Sequence, residues 1–99
     1  MNQINFYVYI LASQPNGTLY VGATDNLVER VWQHKNKVVP GFTKKYDVTR
    51  LVWFEHHTEP HIGLLREKRI KRWKRAWKIA LIEKDNSQWH DLWDKISNM

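Results

Sequence analysis

Phe6-Tyr7-Val8-Tyr9-Ile10-Leu11-Ala12-Ser13-Gln14-Pro15-Asn16-Gly17-Thr18-Leu19-Tyr20-Val21-Gly22 is the stretch on which the fold of this chain turns. Both of its ends are aromatic and β-branched, residue types that suit a pleated, partly buried surface. Gln14-Pro15-Asn16-Gly17 between them is made of turn formers. The stretch therefore predicts a β-hairpin, with Asn-Gly taking the positive φ that a tight turn requires and Tyr9 and Tyr20 on neighbouring antiparallel strands.

Downstream, Asn26 with Glu29 three residues on resembles a capping box and predicts a short helix from about residue 26 to Lys35. Leu27, Val28, Val31 and Trp32 are its candidates for the sheet-facing side, and Arg30 and His34, at i and i+4, share one face. Residues 36–49 contain Pro40-Gly41 and no sustained period, which reads as a loop carrying Phe42, Lys44, Lys45 and Tyr46. Leu51-Val52-Trp53-Phe54 is continuously apolar, as expected of a strand buried on both faces. Thr58-Glu59-Pro60 then opens a helical stretch from about His61 to Lys84, either one helix or two. Asp85-Asn86-Ser87 marks a stop, and Trp89, Leu92, Trp93 and Ile96 form the stripe of a final short helix. The expected organisation is one α+β domain over 1–99, its core at about 5–84 and its C-terminal helix at about 87–97.

A chain of 99 residues buries only about 60 to 65% of its exposable surface on folding, so its large side chains matter. Six of them are Trp, within a hydrophobic share of 42%. Lys and Arg number 16 against 10 Asp and Glu, a formal net charge of +6, which points to a polyanionic partner, nucleic acid first. The absence of cysteine excludes disulfides and thiolate metal sites. Met1-Asn2-Gln3-Ile4-Asn5 has no basic residue ahead of an apolar run too short to span a bilayer, which predicts a cytoplasmic protein without a membrane partner.

Tyr7-Val8-Tyr9, ten intervening residues and Tyr20-Val21-Gly22 resemble the paired motifs of the GIY-YIG nuclease superfamily, with Tyr7 where the family name has Gly. Arg30 follows Gly22 by eight residues, His34 lies one helical turn later, and Glu67 sits in Arg66-Glu67-Lys68-Arg69-Ile70-Lys71, all at the spacing that family shows. Phe42-Thr43-Lys44-Lys45-Tyr46 and Trp73-Lys74-Arg75-Ala76-Trp77-Lys78 are similar to the small stand-alone bacterial members, so the resemblance spans about residues 6 to 96.

The resemblance implies a three-stranded antiparallel sheet flanked by helices and an endonuclease that hydrolyses phosphodiester bonds in DNA, structure-selective or loosely specific, using one Mg²⁺ or Mn²⁺ ion. Such hydrolysis needs an activated water, neutralised phosphoryl oxygens and a stabilised 3′ oxygen. Glu67 is the candidate metal ligand, a hard carboxylate for a hard cation. Arg30 suits the scissile phosphate as a planar, permanently charged fork. Tyr9 or Tyr20 would hydrogen-bond or deprotonate the water, with a phenol pKa drawn below about 10 by neighbouring cations. His34 serves either as general base or as a group that orients the phosphate. Tyr7, Gly22 and Tyr46 complete the motif set.

Two departures favour an alternative, a nucleic-acid-binding module of the same fold with weak or no turnover. Ala23 follows Gly22 where members of the nucleotide-excision repair system often carry Lys, and a late Asn of those enzymes has no confident counterpart. Arg66 to Lys78 carries eight basic residues and one acid; Arg66, Lys71, Lys74 and Arg75, with Lys44 and Lys45, are the candidate nucleic-acid contacts, while Trp73 and Trp77 are expected in the core. Glu55-His56-His57 is read as a strand end and not a metal cluster, since neighbouring strand residues point to opposite faces. The chain is expected to act as a monomer or weak homodimer.

Overall fold

In the computed structural model, which describes residues 4–99, Phe6–Ala12 forms β1, the middle strand of a three-stranded antiparallel sheet. The opening Met1-Asn2-Gln3, part of the segment read for export signals, lies outside the described residues. Leu19–Thr24 (β2) pairs with one edge of β1, placing Tyr9 opposite Gly22 and Leu11 opposite Tyr20. Arg50–His57 (β3) pairs with the other, placing Tyr9 opposite Phe54. Val8, Ile10 and Ala12 point to one face and Tyr9 and Leu11 to the other. Both faces are covered, which is why β1 reads as an unbroken apolar run.

The first face packs with Val21, Val52 and Trp53 against Ile70, Ile82 and Trp89, from α3 (Pro60–Arg72), α4 (Arg75–Asp85) and the segment after it. The second packs with Leu51 against Leu27 and Val31 of α1 (Leu27–Lys35), Val48, and Ile96 of a last single turn. Helix α1 starts with half of the expected capping box: the Glu29 amide donates to Asn26 Oδ1 at 3.2 Å, but the Glu29 carboxylate accepts from the Asn26 side-chain Nδ2 at 3.0 Å, and the Asn26 backbone N–H donates instead to Thr24 Oγ1 at 3.0 Å. Trp32, expected against the sheet, instead lies half exposed on the outer side of α1.

The helical stretch after Pro60 is two helices, broken where Trp73 and Lys74 adopt extended backbone with ψ near 150°. The break turns Trp77 outward, so it is exposed and not in the core as expected; Trp73 is half-buried and meets it edge to face at 6.3 Å. Residues 36–49 are not all loop either, since Phe42–Lys45 makes one helical turn, α2. The expected helix at 87–97 shrinks to Trp93–Ile96 (α5). Trp89 takes a left-handed φ of 58°, which ends any helix there, and turns its ring into the core with the indole N–H donating to Glu83 at 2.8 Å.

The hairpin uses its Asn-Gly differently from the expectation. Asn16 alone carries the positive φ, and Gly17 is required by crowding, because a Cβ there would stand 2.3 Å from Ser13 Oγ. In the β1–β3 ladder the pairing shifts between Ile10 and Leu11, leaving Val52 as an extra residue of β3. Its carbonyl accepts from the buried Asn86 side chain at 3.1 Å. Beside it the Leu51 carbonyl accepts from Leu92 N at 2.8 Å, and the Leu51 amide donates to Asp91. The segment from Asn86 to Leu92 thus covers the outer edge of β3, the edge that would otherwise present unpaired amides.

Candidate active site

Register on the sheet decides what Tyr9 can do. It lies across from Gly22, and with no side chain there its ring settles over the β2 backbone: a Cβ on Gly22 would stand 2.4 Å from the Tyr9 hydroxyl and 2.5 Å from Cζ. The ring is 1% exposed, and its hydroxyl lies 3.1 Å from His34 Nε2. His34 comes from the last turn of α1, one turn after Arg30, and is also 1% exposed. Its other nitrogen, Nδ1, lies 3.0 Å from Thr43 Oγ1 on α2. A neutral imidazole offers one donor and one acceptor, and the two flanking hydroxyls can complement either tautomer.

Burial, followed by the Arg30 charge, holds His34 down at about 4, so the ring is neutral at pH 7. Both nitrogens are engaged by hydroxyls and the ring is closed off from solvent, so either role open to it on sequence, taking a proton from an attacking water or orienting a phosphate, requires one of those two bonds to open. Burial first, and the neighbouring Tyr20 second, push the Tyr9 phenol up to about 12. The Arg30 guanidinium opposes both, while Glu67 adds an upward push. A lowered phenol is the expectation for whichever of Tyr9 and Tyr20 handles the water; at Tyr9 desolvation outweighs the arginine and the shift is upward.

Tyr20 is only half-buried, its ring 6.4 Å from that of Tyr9 and 5.5 Å from that of His34. Arg30 is half-buried with Nη1 donating to Gln33 at 3.2 Å, which steadies the guanidinium without enclosing it. Glu67 projects from α3, which packs on β1 and β2; its side chain is 14% exposed and its carboxylate has Lys71 Nζ at 3.4 Å. His34 is hydrogen-bonded to the Tyr9 phenol and the Tyr20 ring lies 6.4 Å from it, while the charges of Arg30 and Glu67 are felt at its hydroxyl. Tyr7, at the end of β1, packs instead against His56 and Phe54.

Among the described residues no group of three or more His, Asp and Glu converges in a way that would hold a metal. The donor set at Glu67 is one carboxylate. That fits a hard divalent cation whose remaining positions go to water and substrate phosphate, and it does not fit a fully protein-caged ion.

The basic residues divide in two. Lys44 and Lys45 are exposed on α2, with Lys45 Nζ 5.3 Å over the Tyr46 ring. Lys71 and Lys74 are also exposed, Lys74 Nζ lying 5.7 Å over Trp77. Arg66 is committed elsewhere: it donates to the Glu55 carboxylate at 3.0 and 3.4 Å and lies over Trp73 at 5.3 Å. Arg75 Nη2 donates to the carbonyls of Asn16 and Gly17, at 2.7 Å each, and so braces the β1–β2 turn. Glu55 also takes His57 Nε2 at 2.8 Å, which makes the Glu55-His56-His57 segment part of an ion-pair cluster.

Sequence reasoning passed over Thr43, whose hydroxyl is the second anchor of His34, and Phe42, whose ring stacks 6.4 Å from Tyr20. Both lie in the Phe42–Tyr46 segment whose pattern is legible, but a one-turn helix has no period by which to assign faces.

Comparison with known proteins agrees with the fold. The family model described as the GIY-YIG catalytic domain matches residues 5–80. A UPF0213 protein of Pediococcus pentosaceus is 34% identical over 80 residues, covering 81% of this chain and 83% of that one. A UPF0213 protein of Clostridium perfringens is 36% identical over 76 residues, 77% and 81% of the two chains. The solution structure of a UPF0213 protein from Bacillus halodurans superposes with a TM-score of 0.56 over 89% of this chain and 93% of that one at 24% identity, a likeness of fold.

Proposed function

Since this chain belongs to the GIY-YIG family, we propose that it is a divalent-metal-dependent endonuclease that hydrolyses phosphodiester bonds in DNA, acting in the cytoplasm as a monomer or weak homodimer. The observation that supports this reading is the gathering of Tyr20, Arg30, His34 and Glu67 around the buried Tyr9 hydroxyl. A domain of this size has little surface for sequence readout, which suits structural or loose preference.

Glu67 is the residue to hold Mg²⁺ or Mn²⁺, which when bound supplies Lewis-acid neutralisation at the phosphoryl oxygens. Arg30 donates to a non-bridging oxygen of the scissile phosphate through a fork that stays charged as the water oxygen bonds to phosphorus and the 3′ oxygen departs. Tyr20 is the phenol with access to solvent and is the one to orient that water and, as phenolate, to take the proton it loses as its oxygen bonds to phosphorus; the departing 3′ oxygen takes its proton from solvent. Tyr9, held protonated by its surroundings, and His34, held neutral, are positioning residues that keep the Arg30 and Tyr20 side of the cleft in register with β2. Lys44, Lys45, Lys71 and Lys74 supply phosphate contacts at the rim.

The test is cleavage of flapped, branched, duplex and single-stranded DNA with Mg²⁺ or Mn²⁺. Products are expected that vanish with EDTA and with Glu67→Ala; a wild type that cuts none of them, or a variant that cuts as well, overturns the reading. The second reading, a binding module without turnover, is favoured by Ala23 after Gly22 and by Lys71 engaging the Glu67 carboxylate. Under it the wild type binds DNA in Mg²⁺ without cutting, and Glu67→Ala binds at least as tightly.

A further inference from the structure

Helix α2 is too short to hold itself, since isolated turns are unstable in water. It is fixed by tertiary contact: Thr43 is buried and bonded to His34, which is bonded to Tyr9. The effect of that anchor is to hold the neighbouring Phe42 and Tyr46 outward, 45% and 48% exposed, as an i,i+4 pair with ring centroids 4.9 Å apart. Phe42 in turn stacks near-parallel on Tyr20, at 6.4 Å and 28°. The result is a row of rings, Tyr20, Phe42, Tyr46, running from the candidate active site onto the surface. Lys44 and Lys45 flank it.

We propose that this row is a stacking platform for unpaired bases, so that the site takes DNA whose strand is single on the side reached by α2. The inference rests on the nucleic-acid reading above for its ligand class and sharpens it to a substrate structure. Bases inside a duplex are covered above and below by their neighbours and cannot lie on a protein ring, whereas every unpaired base offers a face to an aromatic side chain regardless of sequence. The flanking cations match a phosphodiester backbone and would not suit an apolar protein partner. Phe42 and Tyr46, 45% and 48% exposed, offer ring surface on which a base can lie while Lys44 and Lys45 meet phosphates; the steps of 6.4 and 4.9 Å between neighbouring rings are too short for a base to enter between them.

Binding in EDTA separates this inference from turnover. Fluorescence anisotropy is measured with a short oligodeoxythymidine and with a hairpin duplex of equal charge, for wild type, Phe42→Ala/Tyr46→Ala and the conservative Phe42→Trp/Tyr46→Trp. Expected is a drop in oligodeoxythymidine affinity of roughly five-fold or more in the alanine variant, the least that removing one base–aromatic stack implies, with a smaller change for the hairpin and recovery in the tryptophan variant. Equal weakening on both probes, or no change on either, overturns it. If the alanine variant unfolds, photocrosslinking of iodouracil-substituted oligonucleotide to the wild type replaces it: adducts at residues 42–46 support the platform, and adducts only elsewhere overturn it. Ring-dependent binding without cleavage of any substrate would sink the nuclease reading and leave the platform standing; cleavage with ring-independent binding would do the reverse.

Discussion

The ring of Tyr9 occupies the space a side chain at Gly22 would need, with 2.4 Å between the Tyr9 hydroxyl and a Cβ at that position. The glycine of the second motif is thus the counterpart of the tyrosine of the first, one ring fitted to one missing side chain across the β1–β2 ladder. Gly22→Ala is expected to displace the ring, break its bond to His34 and cost about 1–3 kcal/mol by overpacking. Urea unfolding measures the loss, and cleavage should fall with it.

Thr43→Val keeps the shape of the side chain and removes the hydroxyl. His34 Nδ1 is then left buried without a partner, which costs about 1–3 kcal/mol. Thr43→Ser should restore most of it. If valine is as stable as threonine in a denaturant titration, the hydroxyl is not holding the histidine.

The two buried titrating groups set opposite limits on stability. His34 titrates at about 4 when folded and near 6.5 when free, so between those values the unfolded chain takes up a proton the folded chain refuses. Stability is therefore full above pH 6.5 and declines as pH falls toward 4. Tyr9, raised to about 12 from 10, acts at the other end: the unfolded phenol ionises first, and stability declines as pH rises through that window. Thermal melts of wild type against His34→Gln and Tyr9→Phe should show the variants flatter, each in its own window.

Removal of the half-buried Tyr20 phenol should act on rate and not on folding. Tyr20→Phe is expected to lower kcat about 10²- to 10⁴-fold, the range for removing a proton-handling group, with little change in thermal midpoint. Tyr9→Phe should instead lower stability, because it strands His34 Nε2. Equal kinetic loss with no stability difference between the two would erase the distinction.

The rim cations should separate in salt titrations of single-strand binding. Lys44→Gln and Lys45→Gln are expected to make the slope of log K against log salt shallower by about 0.7 for each phosphate no longer neutralised. Arg66→Gln should leave the slope unchanged, since its guanidinium is bound to Glu55, and should cost about 1 kcal/mol or less of stability. A shallower slope for Arg66→Gln would put it at the interface.

What was legible in the sequence was what short-range chemistry decides. Asn26 and Glu29 mark the start of α1, and the helix begins there because the cap closes within four residues. The hairpin and the spacing from Gly22 to Arg30 and His34 follow from chain connectivity alone. Illegible parts depend on contacts far apart in the chain. Helix α2 exists because Thr43 reaches His34 nine residues earlier. His34 looks like an available base until burial is known, and Tyr9 looks like an acidic phenol until desolvation is weighed against Arg30. Trp77 and Trp89 share a helical-looking pattern, yet the break at Trp73-Lys74 turns one outward and the left-handed Trp89 turns the other inward.

The family match ends at Ala80, whereas the hydrogen bonds that close off β3 come from Asn86, Asp91 and Leu92. A chain trimmed to the matched residues would keep every candidate catalytic side chain and lose the partners of Leu51 and Val52 at that edge together with Ile82, Trp89 and Ile96, which fill the cores on both faces of the sheet. It would fail by opening its interior before its chemistry was ever tried, so the stretch that carries the motifs is shorter than the stretch that holds them in place.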